Sequence, residues 1–224
     1  MGTVAILPVK RFDAAKQRLG TRLGEPERRD LAEAMVADVL DALTRTPGLA
    51  AVMVVTAEPR AAALASAAGV QVVPDESERG QSEAAQQGLE RARDVGHDEA
   101  LLVPGDCPTA APDELETLLA LGRSPEHPLV IIVPDRHGTG TNALLLRPPA
   151  AIAPGFGPGS YERHVGRAEQ AGVAWKVARP PSLLLDVDTA EDLDTLRAAL
   201  QGRDDVAPRT QDVLRGLAFA TGQA

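Results

Sequence analysis

Three aspartates carry the strongest chemical signal in this chain. Asp106 ends the apolar run ALLVPGD, and the Cys107-Pro108 step after it breaks the chain, which leaves the carboxylate at the end of an expected strand. Asp186 and Asp188 lie two apart in LLLDVD. If that stretch is extended, both face one side and Val187 the other. Aligned carboxylates repel unless a cation is shared. Oxygen ligands with no clustered His or Cys suit a hard ion, Mg²⁺ rather than Zn²⁺. The competing use is local, with Asp188 or Thr189 capping the helix that opens at TAEDL.

The second signal is basic. Lys10, Arg11, Lys16 and Arg18 crowd PVKRFDAAKQRLG, in a chain with 23 Lys and Arg against 32 Asp and Glu. A cationic loop ahead of a helix can cradle phosphates, although the same composition also describes a solvated loop. Two glycine-rich stretches, GTGT (138–141) and GFGPGS (155–160), offer amides to an anion, and ordinary turns use the same residues. There is no GxxxxGK[ST] loop. The nearest match to GxGxxG, Gly138-x-Gly140-x-x-Ala143, runs into a strand, so P-loop ATPases and Rossmann dehydrogenases are excluded. His97, His127, His137 and His164 show no ligand spacing and Cys107 has no evident base partner. All five read as structural or solvent-facing, and Trp175 as packing.

These side chains need a scaffold, and composition bounds it. The 224 residues are 44% hydrophobic and 25% charged, enough for one sizeable core. A net charge of −9 removes the basic field that nucleic-acid binding needs. A single cysteine, no leader-like start and no apolar run of about 18 residues predict a cytoplasmic protein with no membrane partner.

Along the chain, strands and helices alternate. TVAILPV (3–9) reads as a strand buried on both faces. Leu31, Met35, Val39 and Leu43, four apart, make an amphipathic helix from Glu25, with Pro26 in its first turn. Strands follow at 50–56, 70–74, 99–106 and 128–135, separated by helices. A strand over 142–148 then follows a strand directly, which predicts an antiparallel excursion. A helix over 161–170, a strand over 173–179 and a helix over 189–200 complete the set. The expected fold is α/β, a single-domain three-layer αβα arrangement on a mostly parallel mixed sheet. Residues 1–200 form the domain, and 201–224 a polar tail, faintly helical over 212–218. In such sheets ligands bind beyond the carboxyl ends of the strands.

Taken together, PVKRFDAAKQRL, LLVPGDCP, DRHGTGTNALLL, FGPGSYERH and LLLDVDTAEDL resemble, in order and spacing, the phospholactate/phosphoenolpyruvate guanylyltransferases of deazaflavin coenzyme F-420 biosynthesis. The resemblance spans residues 4 to about 196. It implies a glycosyltransferase-A-like nucleotidyltransferase fold and transfer of GMP from GTP to a small phosphorylated carboxylic acid. It also implies Asp106, Asp186 and Asp188 as Mg²⁺ ligands, Lys10 on a phosphate or carboxylate, and Lys16 and Arg18 near the triphosphate. Thr141, Gly157 and Ser160 would surround the three-carbon acid, and the protein would be a homodimer. One segment departs from the family. Where a Gly-Leu-Asn run is expected near the base, this chain has Gly80, Gln81 and Ser82, and the Gln81 and Ser82 side chains can still hydrogen-bond a base edge.

The chemistry fits the residue types. An acceptor phosphate, with a second pKa of about 6, is mostly ionised at neutral pH and needs no protein nucleophile. What remains is positioning and charge neutralisation by cations. Two other readings compete: a molybdopterin or sugar-phosphate nucleotidyltransferase, and a silent nucleotide-binding regulatory module.

Overall fold

The computed structural model describes residues 2–123 and 125–221. Seven strands form one sheet: β1 (Thr3–Val9), β2 (Leu49–Thr56), β3 (Gln71–Pro74), β4 (Glu99–Leu102), β5 (Leu129–Pro134), β6 (Thr141–Arg147) and β7 (Ala174–Val177). Their order is β3-β2-β1-β4-β6-β5-β7, parallel except for β6, which runs antiparallel to both neighbours. The helices are α1 (Glu25–Arg45), α2 (Pro59–Ala67), α3 (Gln81–Asp94), α4 (Pro112–Gly122), α5 (Ser160–Gln170), α6 (Ala190–Leu200) and α7 (Pro208–Thr221).

The side-chain period of two explains the three layers. Ala5 and Leu7 of β1 join α1, α2 and α4 residues in one core, while Val4 and Ile6 join α3 and α5 residues in another. Both faces of the central strands are therefore buried, which is why their sequences read as continuous apolar runs. Helix α3 lies so close to β1 that a Cβ on Gly88 would run into Ile6. Among the described residues no helix is long and apolar enough to cross a membrane.

Three expectations change. The strand over 99–106 ends at Leu102; Val103 adds one bond to Ile6 O at 3.1 Å, and Asp106 stands beyond it in a turn. The LLLDVD stretch joins no ladder, yet Leu185 and Val187 are buried while Asp186 and Asp188 are half-buried, so the alternation holds. It is anchored by a bond from Val187 N–H to Asp106 O at 3.1 Å. The third change is at the C-terminal end. Helix α7 starts at Pro208, earlier than the expected 212, and its Leu214 and Leu217 share a third core with Leu31 and Met35 of α1. Asp38 of α1 accepts the Arg209 and Thr210 amides at the start of α7, at 3.2 and 2.8 Å.

Candidate active site

The strands β1 and β4 end, and the antiparallel β6 begins, beneath two cavities. The larger, about 490 Å³, is lined by Arg18, Asp135, Arg136, Thr141, Asn142, Ser160 and Asp186 among others. The smaller, about 290 Å³, lies under Pro8, Val9, Lys10 and Lys16 and is backed by Ala32, Met35 and Val36 of α1. Gln81, Pro104, Asp106, Gly157 and Asp188 line both, so the two spaces meet at two of the three aspartates.

At that junction sits Lys16. Its ammonium donates to Asp106 Oδ2 at 2.8 Å and to Asp188 Oδ1 at 2.9 Å, with the lysine side chain only 8% exposed. Burial alone would lower its pKa, but the two carboxylates outweigh that and raise it, so the charge is kept. The lysine backbone is left-handed, at φ 56 and ψ 34, a strained conformation for a side-chain-bearing residue. The surrounding contacts thus hold Lys16 where its own backbone preference would not.

Asp186 faces a different environment. Burial first, and then the charges of Asp106 and Asp188, push its pKa up to about 6, against a partial offset from the Asn142 amide at 3.2 Å. Asp106 Oδ1 is buried without a hydrogen-bond partner. An orphaned carboxylate oxygen beside an acid of raised proton affinity is a donor set suited to a hard divalent cation. It is not a ready-made cage. Among the described residues no three His, Cys, Asp or Glu side chains are gathered closely enough to enclose an ion, and Lys16 occupies the space between two of the three acids.

The remaining candidates divide. Lys10 is exposed on the smaller cavity, and Arg18 is exposed on the larger one. Thr141 and Ser160 line the larger cavity and Gly157 both. Gly80 lines neither; it precedes α3 with φ 106 and turns the chain into that helix. Ser82, expected on a base edge, instead accepts the Phe156 N–H at 2.9 Å and ties α3 to the second glycine-rich loop. Gln81 stands between the cavities.

The GTGT amides are not free to hold an anion. Asp135 takes the Thr139 and Gly140 N–H groups at 2.9 and 2.8 Å, and a Cβ on Gly140 would fall 2.6 Å from its Oδ2. The loop is a closed turn that delivers Thr141 to the start of β6. Asn142, to which its sequence context gives no role, is 3% exposed and donates to Leu183 O at 2.9 Å as well as to Asp186. A polar residue opening the apolar strand TNALLL was the available signal. Thr189, not Asp188, caps α6, in a reciprocal box with Asp192, which leaves Asp188 free for Lys16. Cys107 is buried and its thiol is pushed up by that burial, which removes it as a nucleophile.

A mixed sheet with one antiparallel strand, and acids and cations gathered beyond the carboxyl ends, defines an enzyme-like α/β chain with the nucleotidyltransferase fold. The fold is shared with a Desulfovibrio desulfuricans G20 protein described as a nucleotide-diphospho-sugar transferase, at TM-score 0.75 and 19% identity over 96% of this chain and 95% of that one. A family model described as "Guanylyl transferase CofC like" matches residues 3–222, and the chain belongs to that family. A phosphoenolpyruvate guanylyltransferase of Conexibacter woesei is 46% identical over 97% of both chains. A 3-phospho-D-glycerate guanylyltransferase of Phenylobacterium zucineum is 35% identical over 95% of both. A 2-phospho-L-lactate guanylyltransferase of Methanothermobacter thermautotrophicus is 35% identical over 86% of this chain and 83% of its own.

Proposed function

We propose that the protein transfers GMP from GTP to a small three-carbon phospho-acid, releasing pyrophosphate, as a step of coenzyme F-420 biosynthesis in the cytoplasm. Phosphoenolpyruvate is the favoured acceptor and 2-phospho-L-lactate the next. The observation that carries this reading is the pair of cavities meeting at Asp106 and Asp188, one bordered by Lys10 and Lys16, the other by Thr141 and Ser160. GTP occupies the first and the acid the second.

In the reaction an oxygen of the acceptor phosphate bonds to the α-phosphorus as the α–β bridging bond breaks, and the electron pair leaves with pyrophosphate. The acceptor is already ionised, so the protein supplies alignment and charge. Lys16, at the junction of the cavities, faces the charge that develops there, and Lys10 and Arg18 extend the positive field to either side. Asp106, Asp186 and Asp188 would hold Mg²⁺, which would neutralise the phosphate oxygens when bound. Gln81 lines the space where donor and acceptor approach, with both a donor and an acceptor in one side chain to offer the base.

The test is pyrophosphate release with GTP and Mg²⁺, comparing phosphoenolpyruvate, 2-phospho-L-lactate and 3-phospho-D-glycerate at matched GTP, with ATP in parallel. Phosphoenolpyruvate should give the highest kcat/KM. A clear preference for either other acid overturns the acceptor assignment, and no release with any acid overturns the activity.

A further inference from the structure

His164, whose sequence spacing predicts a structural or solvent-facing residue, is wholly buried on α5 between the two glycine-rich loops. Its Nε2 lies 2.9 Å from the backbone nitrogen of Gly155, and its Nδ1 lies 3.0 Å from Thr141 Oγ1. A backbone N–H can only donate, so Nε2 must present a lone pair. The hydrogen of a neutral imidazole then sits on Nδ1 and is donated to the Thr141 hydroxyl. The opposite tautomer would set two hydrogens head to head against Gly155.

The surroundings keep the ring in that one state. Burial, with Arg167 and Arg163 nearby, pushes its pKa down to about 4, so it is neutral under physiological conditions. Both arginines face backbone acceptors around it, Arg163 on Gly155 O and Pro158 O and Arg167 on Ala153 O. Phe156 packs edge-on against the ring, centroids 5.4 Å apart at 72°. The ring can neither turn nor exchange its roles without breaking these contacts.

Thr141 inherits the constraint. Its oxygen receives the imidazole hydrogen, and its own proton has no acceptor among the described residues. The residue is 7% exposed and lines the larger cavity. We propose that His164 is a positioning residue for acceptor recognition: it fixes the Thr141 hydroxyl as a hydrogen-bond donor aimed at an anionic oxygen of the acceptor acid. This deepens the guanylyltransferase reading and rests on it. A threonine hydroxyl left to itself can donate or accept, and would fit an alcohol or amide as readily as an acid. Oriented by His164, it prefers a carboxylate or phosphate oxygen.

Two variants separate this role from simple loop pinning. In His164→Asn the amide nitrogen stands near the place of Nδ1, keeping the donor to Thr141 and losing Gly155. In His164→Gln the amide oxygen stands near the place of Nε2, keeping Gly155 and losing the donor. The expected result is that His164→Gln raises the acceptor KM by about 10-fold or more while His164→Asn stays within about 3-fold of wild type, with KM for GTP unchanged in both. In a Thr141→Val background, His164→Gln should add nothing further. Equal damage in both variants, or the reverse order, makes His164 a loop anchor and overturns the proposal. Ring ¹⁵N shifts of wild-type His164 decide the tautomer without turnover, so they remain informative if no acid is accepted or a variant fails to fold. Nδ1–H is expected, and Nε2–H overturns the proposal.

Discussion

Replacing Asp186 by Asn should make the protein more stable and almost inactive. In the folded chain the Asp186 pKa is raised from 3.8 to about 6, because burial and the charges of Asp106 and Asp188 oppose ionisation. A carboxyl with a raised folded pKa binds its proton more tightly when folded, so it contributes stability at low pH that is lost as pH rises through about 6. At pH 7.5 the ionised group then costs about 3 kcal/mol relative to a neutral isostere, and about 1 kcal/mol if solvent screens most of the shift. Asparagine keeps an oxygen for the Asn142 amide, which now lies 3.2 Å from Asp186 Oδ1. Urea denaturation in the presence of a chelator should therefore show Asp186→Asn more stable at pH 7.5. The advantage should shrink by roughly half at pH 5 and nearly vanish at pH 4. Added Mg²⁺ should stabilise wild type and leave the variant unmoved, while pyrophosphate release falls to the order of 1% or less of wild type. A variant less stable than wild type at pH 7.5, or an advantage independent of pH, would refute this account of the acid cluster.

Other expectations follow from the same geometry. Asp106→Asn and Asp188→Asn should each lower kcat by about 100-fold or more while the chain still folds with Lys16 on its remaining carboxylate, and normal turnover of both with Mg²⁺ present removes the three acids from the chemistry. Gln81→Leu should reduce the discrimination of GTP over ATP by about 1–3 kcal/mol in kcat/KM; unchanged rejection of ATP assigns base reading to the backbone. The His164 pKa, depressed from 6.5 to about 4, works in the direction opposite to Asp186. Its stability is complete above pH 6.5 and is lost as pH falls toward 4, by up to about 3 kcal/mol. Wild type should accordingly lose ground to His164→Asn across that window, and a constant difference between their denaturation curves would show that the buried ring titrates normally.

Much of this was legible in the sequence because it depends on local period. The runs TVAILPV and PLVIIVPD fixed buried strands, the four-residue spacing of Leu31 to Leu43 fixed α1, and Asp186 and Asp188 share a side because they are two apart. What was not legible depends on pairs distant in the chain. Lys16 reads as a phosphate-facing cation until the fold brings Asp106 and Asp188 to it across 90 and 172 residues. GTGT reads as an anion loop because nothing in its composition says that Asp135 will take its amides. Ser82 reads as a base contact until Phe156, 74 residues on, turns its N–H to it. The 201–224 segment looks polar because Leu214 and Leu217 are set among polar and charged residues, and their spacing has meaning only once α1 is beside them.

That last helix changes how the protein can be engineered. Met35 of α1 lines the smaller cavity and belongs to the same apolar cluster as Leu214 and Leu217 of α7. A chain cut after Leu200 would keep every acid and cation of the site, yet strip the backing from the wall against which the nucleotide is expected to lie. Asp38 would then lose the two helix-end amides that it accepts and the helix that covers it. Truncations designed to trim an apparently dispensable tail would therefore register as weakened nucleotide affinity, and a fusion partner is better joined through a flexible spacer that leaves α7 seated.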